Sequence, residues 1–345
     1  MKHILILAAI VSLSACQGTE KKTQQTCLVP NIIFETDMGN DVDDALALDM
    51  IYKYMDEGKA NLLAICSNKD SQHSTEYIHL MNHWYDYPNI PIGKVLNGVP
   101  QEHNNQEYIG YVPSMKDENG NDLFSRTPFE FEVIPDAVDL YRQILSKQED
   151  NSVTIISVGF STNISRLLKS EPDQYSDLNG WDLIKRKVKL LSVMASSLGE
   201  DKIADYNVVK DISAAQTVVD SWPTPIVFAP NEAGISVEYP SSSIENDFTW
   251  TEYHPLVESY KYYMKMPYNR PTWDLISVLY VVENDPKYFT QSEWGKLTID
   301  DNGYSNFTVQ KEGKHAYLTL NKEQAETTRN RFIQLITQSP KSQTK

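Results

Sequence analysis

An α/β fold with an open, mostly parallel sheet, flanking helices and a small antiparallel element near the C-terminus is what this sequence predicts. Three observations predict it. Short apolar runs alternate with longer stretches of helical periodicity. The early apolar runs are continuous, as strands covered on both faces should be. Polar-apolar alternation comes late, between about residues 296 and 320.

The elements follow in order. VPNIIFETD (29–37) reads as a strand leading into the helix DDALALDMIYKYMDEG (43–58). LLAICS (62–67) leads in the same way into STEYIHLMNHWYDY (74–87). IPIGKVL (90–96) is strand-like and precedes a polar stretch with aromatic residues that runs to about 132. DAVDLYRQILSKQ (136–148) is helical and SVTIISVG (152–159) extended. STNISRLLKS reads as a helix, with Ser161 or Thr162 available as N-cap. KVKLLSVMA (187–195), DISAAQTVVDSW (211–222) and TPIVFAP (224–230) continue as strand, helix and strand. WDLISVLYVV (273–282) is expected to be an amphipathic helix. The late alternation predicts a hairpin around Asp301-Asn302-Gly303 or Glu312-Gly313, and KEQAETTRNRFIQLIT closes as a helix. With no internal repeat, one domain over 29–338 is the simplest organisation.

The N-terminus stands apart. MKHILILAAIVSLSAC has a Lys at position 2, a short apolar run and then small residues, the grammar of a secretory signal over 1–15. Leu13-Ser14-Ala15-Cys16 resembles a bacterial lipobox, which implies lipidation of Cys16 and a flexible tether over 16–28. The alternative is a plain signal with an incidental cysteine. The expectation is therefore an exported, cell-envelope lipoprotein, periplasm-facing or on the outer membrane, held by its lipid anchor alone. After the leader no apolar run reaches spanning length. Cys27 and Cys66 make neither a disulfide framework nor a metal-ligand spacing. A net charge of −16 argues against a nucleic-acid partner, which needs a basic stripe.

The densest chemistry lies where the first strand meets the first helix. Glu35, Asp37, Asp41, Asp43, Asp44 and Asp49 fall within fifteen residues. A helix N-terminus eases an anion by roughly 0.3–1 kcal/mol, too little for several converging carboxylates. A hard cation with oxygen ligands, such as Ca²⁺, fits; zinc is disfavoured because the stretch has no His or Cys. Plain readings remain beside this one: Asp41 and Asp43 as solvated caps, or Glu35 and Asp37 on an exposed strand face.

Glu35-Thr36-Asp37-Met38-Gly39-Asn40-Asp41-Val42-Asp43-Asp44-Ala45-Leu46-Ala47 resembles the signature D-x-D-P-G-x-D-D-A-x-A of the inosine-uridine-type nucleoside hydrolases. Glu stands for the leading Asp, and the segment before the Asp43-Asp44 pair is two residues longer. AICSNKD, SVGFSTNISRLL, ADYNVVKDISAAQTVVDSW and RPTWDLISVLYVV are similar to further family segments, in the family's order.

The resemblance implies a Rossmann-like fold and a Ca²⁺ site made by Asp43, Asp44, Asp274 and the Val158 carbonyl, with Asp37 also on the ion. Asp37 would be the general base acting on a metal-bound water. Asn68, Asp205 and Asn207 would hold the ribose, and Trp273 would stack on the base or serve as an ordinary core residue. Trp273 occupies a place where many members have a His, and Gly199 one where they have an Asn. Arg270 either meets a substrate anion or pairs with a carboxylate. The stretch 98–135 could form a lid, with His103, Tyr108, Tyr111 and Arg126 as candidate contacts.

The activity so implied is hydrolysis of ribonucleosides to ribose and free base, with a role in purine or pyrimidine salvage. Another riboside or modified sugar as substrate, or an inactive Ca²⁺-dependent sugar-binding lipoprotein, stays open. Self-association into a homo-oligomer is also left open.

Overall fold

The computed structural model describes residues 29–100 and 107–343. The leader, the tether with Cys16 and Cys27, and His103 lie outside the described residues.

The first half opens with β1 (Asn31–Thr36), α1 (Asp43–Asp56), β2 (Asn61–Ser67), β3 (Lys69–Asp70) and α2 (Gln72–Trp84). Then come β4 (Ile92–Gly93), β5 (Val99–Pro100), α3 (Tyr108–Ser114), α4 (Ala137–Ser146), β6 (Val153–Ser157) and α5 (Thr162–Leu168). The chain continues through α6 (Gly180–Lys187), β7 (Val188–Met194), α7 (Tyr206–Lys210), α8 (Ile212–Ser221), β8 (Ile226–Ala229) and α9 (Asn231–Ile235). β9 (Glu238–Tyr239), α10 (Ser241–Asn246), α11 (Pro255–Tyr263), β10 (Arg270–Pro271) and α12 (Trp273–Val282) follow. The last elements are β11 (Thr290–Gln291), β12 (Gly295–Ile299), β13 (Ser305–Val309), β14 (His315–Thr319) and α13 (Lys322–Ile336).

The main sheet runs β13-β12-β14-β8-β7-β6-β1-β2-β4, with β11 added beside β14. From β4 across to β14 every pairing is parallel. β12 and β13 are antiparallel, so the expected hairpin forms at Asp300–Tyr304, closed by the Gly303 N–H to Asp300 carbonyl bond. Strand order departs from β1 in both directions, β2 on one side and β6 on the other. This reversal leaves a crevice beyond the carboxyl ends of β1 and β6, where open parallel sheets place ligands.

Side-chain alternation feeds two cores. Ile32 and Phe34 of β1 pack on one face with α1, α2 and α12; Ile33 packs on the other with α4, α5 and α8. α12 differs from expectation. It is buried from Asp274 to Tyr280, so it is a central helix and not an amphipathic surface one. IPIGKVL yields only the two-residue β4, because the sheet ends at that edge. No described helix is long and apolar enough to cross a membrane.

Glu35 ends up fully buried near the carboxyl end of β1. Tyr141 donates to its Oε2 at 2.6 Å and Asn163 to its Oε1 at 2.6 Å. Burial outweighs these bonds and pushes its pKa up to about 8. Between its ordinary value of 4.5 and about 8, the folded protein keeps a proton that the unfolded chain has released. Stability from this group therefore falls as pH rises through that window. Glu35→Gln keeps the shape and removes the titration. Its melting temperature relative to the unaltered chain should rise between pH 5 and pH 8 and then level off, as followed by circular dichroism in buffers containing chelator. A difference independent of pH would contradict this.

Candidate active site

β1 delivers Asp37 to the crevice, and the following turn brings four more residues to the same place. Asp37, Asn40, Asp41, Asp43 and Asp44 line one side of a cavity of about 370 Å³. Val158 after β6, Met194 at the end of β7 and Asn231 after β8 line it from the neighbouring strand ends. Asp205, Tyr206 and Asn207 enter from α7, and Arg270, Trp273 and Asp274 from β10 and the start of α12.

Asp43, Asp44 and Asp274 form the floor. One oxygen from each lies within 4.8 Å of the others, and all three side chains are buried. Asp43 and Asp44 open α1, and Asp274 is the second residue of α12, so two helix N-termini face the trio. The Asp274 N–H donates to Asp43 Oδ2 at 3.1 Å, and the Thr36 hydroxyl donates to Asp44 Oδ1. The solvated-cap reading of Asp43 therefore fails. Burial, then the charge of neighbouring carboxylates, drives all three well above the usual carboxylate range.

Such a set is chemically a hard-cation site. Among the described residues lining the cavity there is neither His nor Cys, and Arg270 is the one basic side chain against six aspartates. That arginine is already engaged. Its Nε donates to Asp41 Oδ1 at 2.9 Å, and its Nη2 donates to Asp41 Oδ2 and to the Tyr263 hydroxyl. The carboxylate-pairing reading of Arg270 holds, with Asp41 as the partner. Its guanidinium also lies over the Trp273 ring at 5.2 Å and the Tyr263 ring at 5.3 Å.

Asp37 stands beside the trio, 4% exposed. Burial raises its pKa to about 6, while the Asn40 amide and the Lys69 charge pull it down. Gly159 makes this approach workable: a Cβ there would sit 2.6 Å from the Asp37 nitrogen and 2.6 Å from Asn68 Oδ1.

Opposite the floor, Asn207 Nδ2 donates to the Val158 carbonyl at 3.0 Å, leaving that oxygen a second lone pair. Asp205 caps α7, accepting the Val208 N–H at 3.3 Å, and burial raises its pKa to about 6. Trp273 donates its indole N–H to Asn231 Oδ1 at 3.0 Å. Gly234 seats the ring, since a Cβ there would come 2.2 Å from Trp273 Cδ1.

Not every expected residue arrives. Asn68 is fully buried and does not line the cavity; it packs beneath Gly159 beside Asp37, because the chain turns into β3 directly after β2. Its side-chain amide instead meets the buried Glu35 carboxylate, whose pKa it helps to hold down. The described part of 98–135 supplies no cavity-lining residue. Tyr108 is buried and donates to the Asp41 carbonyl at 2.8 Å, so it props the loop from behind. Tyr111 stacks on Tyr262 with ring centroids 4.0 Å apart. Arg126 donates to the Pro113 and Phe124 carbonyls at 2.9 and 3.2 Å. Gly199 lies outside the cavity lining, where its N–H reaches Glu232 at 3.0 Å. Asn40, Met194, Ile203, Tyr206 and Asn231 were not anticipated. Of these, Ile203 and Tyr206 flank the anticipated Asp205 closely enough for sequence proximity to have flagged them.

The sequence matches the inosine-uridine preferring nucleoside hydrolase family over residues 32–334. No curated protein matches the chain. Solved structures share the fold at low identity. A purine-preferring ribonucleoside hydrolase from Gardnerella vaginalis is 16% identical, with TM-score 0.66, over 89% of this chain and 98% of that one. An inosine-uridine preferring nucleoside hydrolase from Bacillus anthracis is 14% identical, with TM-score 0.64, over 89% and 99%. The type III effector protein XopQ, solved with adenosine diphosphate ribose, is 12% identical, with TM-score 0.60, over 90% and 93%. A match along nearly the whole sheet-and-helix framework, with a buried aspartate cluster able to hold a metal at its switch point, places the chain in the inosine-uridine preferring nucleoside hydrolase family, glycosidases that act on ribonucleosides.

Proposed function

We propose that the chain is a Ca²⁺-dependent hydrolase that cleaves the N-glycosidic bond of ribonucleosides to ribose and free base. One observation carries the reading: Asp37 stands on the same cavity as the Asp43, Asp44 and Asp274 trio, facing Asp205 and Asn207. Asp43, Asp44, Asp274 and the Val158 carbonyl would hold the ion, with Asp37 beside it. Bound there, Ca²⁺ would supply a grip on vicinal sugar hydroxyls and make a nearby water easier to deprotonate.

The remaining roles belong to the chain. Asp37 takes the proton from the attacking water, a task open to a carboxylate that borders the cavity. Asp205 and Asn207 orient the sugar hydroxyls. The clustered aspartates stabilise the positive charge that develops on the ribosyl ring as the bond to the base breaks. Trp273 and Arg270 line one wall of the cavity, and the departing base would leave against that wall.

A second substrate class is another riboside, since the Arg270 charge beside Trp273 is spent on Asp41 and selects no particular leaving group. Release of ribose, followed across nucleosides and other ribosides, separates the two. We also infer export and lipid anchoring at Cys16 from the lipobox-like Leu13-Ser14-Ala15-Cys16. Cys16→Ser should abolish both labelling with a radioactive fatty acid and retention in the membrane fraction.

Two outcomes test the mechanism. Asp37→Asn should lower kcat by on the order of 10²–10⁴ while calorimetry still detects Ca²⁺ binding. Unimpaired turnover would remove Asp37 from the base role. Ca²⁺ at about a hundred times its dissociation constant should stabilise the protein by about 2.7 kcal/mol over the chelated form. Identical melting curves with and without chelator would exclude a resident divalent ion.

A further inference from the structure

The loop Met38–Val42 carries two residues more than the motif it resembles, and the first consequence is a contact on Asp37 itself. Asn40 Nδ2 donates to Asp37 Oδ2 at 2.5 Å. On the other end of the same amide, Lys69 Nζ donates to Asn40 Oδ1 at 2.6 Å. Lys69 is buried, and its backbone is fixed where β3 pairs with β5, opposite Val99.

The order of these groups matters. An asparagine amide can present either its oxygen or its nitrogen to a neighbour. An ammonium group only donates, so Lys69 must meet the oxygen, and the NH₂ is thereby turned toward the carboxylate. With Oδ2 held in this way, rotation of the Asp37 carboxylate is restrained.

We propose that Asn40 and Lys69 act as a two-residue positioning relay that sets the orientation of the Asp37 carboxylate for proton transfer. This rests on the hydrolase reading above. Neither residue needs to touch the sugar or the ion. The relay should govern the chemical step, with little effect on binding.

The test uses the mature chain loaded with Ca²⁺, with release of ribose from ribonucleosides as the assay. Asn40→Ala and Lys69→Met should each lower kcat on the order of tenfold to a hundredfold, the scale of a small misplacement of a reacting group. KM and the Ca²⁺ dissociation constant should stay within about twofold of the unaltered chain, because the groups that bind are untouched. The double variant should be no slower than the slower single one, since both break the same relay. Should Lys69→Met fail to melt cooperatively, Asn40→Ala decides alone, as Asn40 sits in a partly exposed loop.

Unchanged kcat in Asn40→Ala, multiplicative losses in the double variant, or losses confined to KM or Ca²⁺ affinity would each overturn the relay while leaving the hydrolase reading in place. No hydrolysis by the unaltered chain on any ribonucleoside would end that reading and the relay with it.

Discussion

Buried carboxylates facing one another across a few ångströms repel strongly unless a cation or a proton intervenes, and this structure gathers three of them within 4.8 Å, with Asp37 beside them. Nearly every nearby feature bears on that repulsion. Two helices direct their N-termini at the trio, each easing an anion by roughly 0.3–1 kcal/mol. Thr36 and the Asp274 N–H each take up one carboxylate oxygen. What remains is an excess of negative charge, since the two nearby cations, Arg270 and Lys69, ease the aspartates without matching them in number. A protein that keeps such a cluster away from water stores a demand for a hard ion in its fold.

The sheet meets that demand by topology. The reversal of strand order at β1 opens the space into which Asp37 and Val158 emerge from neighbouring strands. Asp274 arrives from 231 residues beyond Asp43, carried by a helix buried against the sheet. Two glycines keep the approach tight: Gly159 lets one strand end close on Asp37, and Gly234 gives the Trp273 ring its seat. Either position would force backbone to move if it carried a side chain.

Much of this was legible in the sequence, and the reasons are physical. Short continuous apolar runs alternating with longer helical stretches are the pattern of strands covered on both sides, so the parallel sheet could be read from the alternation. Asp43 and Asp44 stood out because crowding of like charge is costly enough to need an explanation. Other features left no local trace. The pairing of Arg270 with Asp41 spans 229 residues, and neither residue carries a sign of the other. α12 has an acid and a serine among its apolar residues and so resembled a surface helix, yet those polar groups face the site or the interior. Tyr108 read as a loop aromatic because burial depends on which segment covers it, and here the covering elements are α2 and α11. Asn68 matches a ribose-binding position in the motif, yet its side chain lies under Gly159 and beside Glu35, contacts that a linear pattern does not show.

The direction of β1 has a bearing on how the enzyme would sit at a surface. The chain enters the sheet at Asn31, and the cavity opens past Thr36 at the other end of the strand, roughly 20 Å away at the usual rise per residue. Anything fastened upstream of Val29 therefore takes hold of the protein's back. A tether attached there would leave the mouth clear at any orientation, so the mooring would not obstruct traffic in or out.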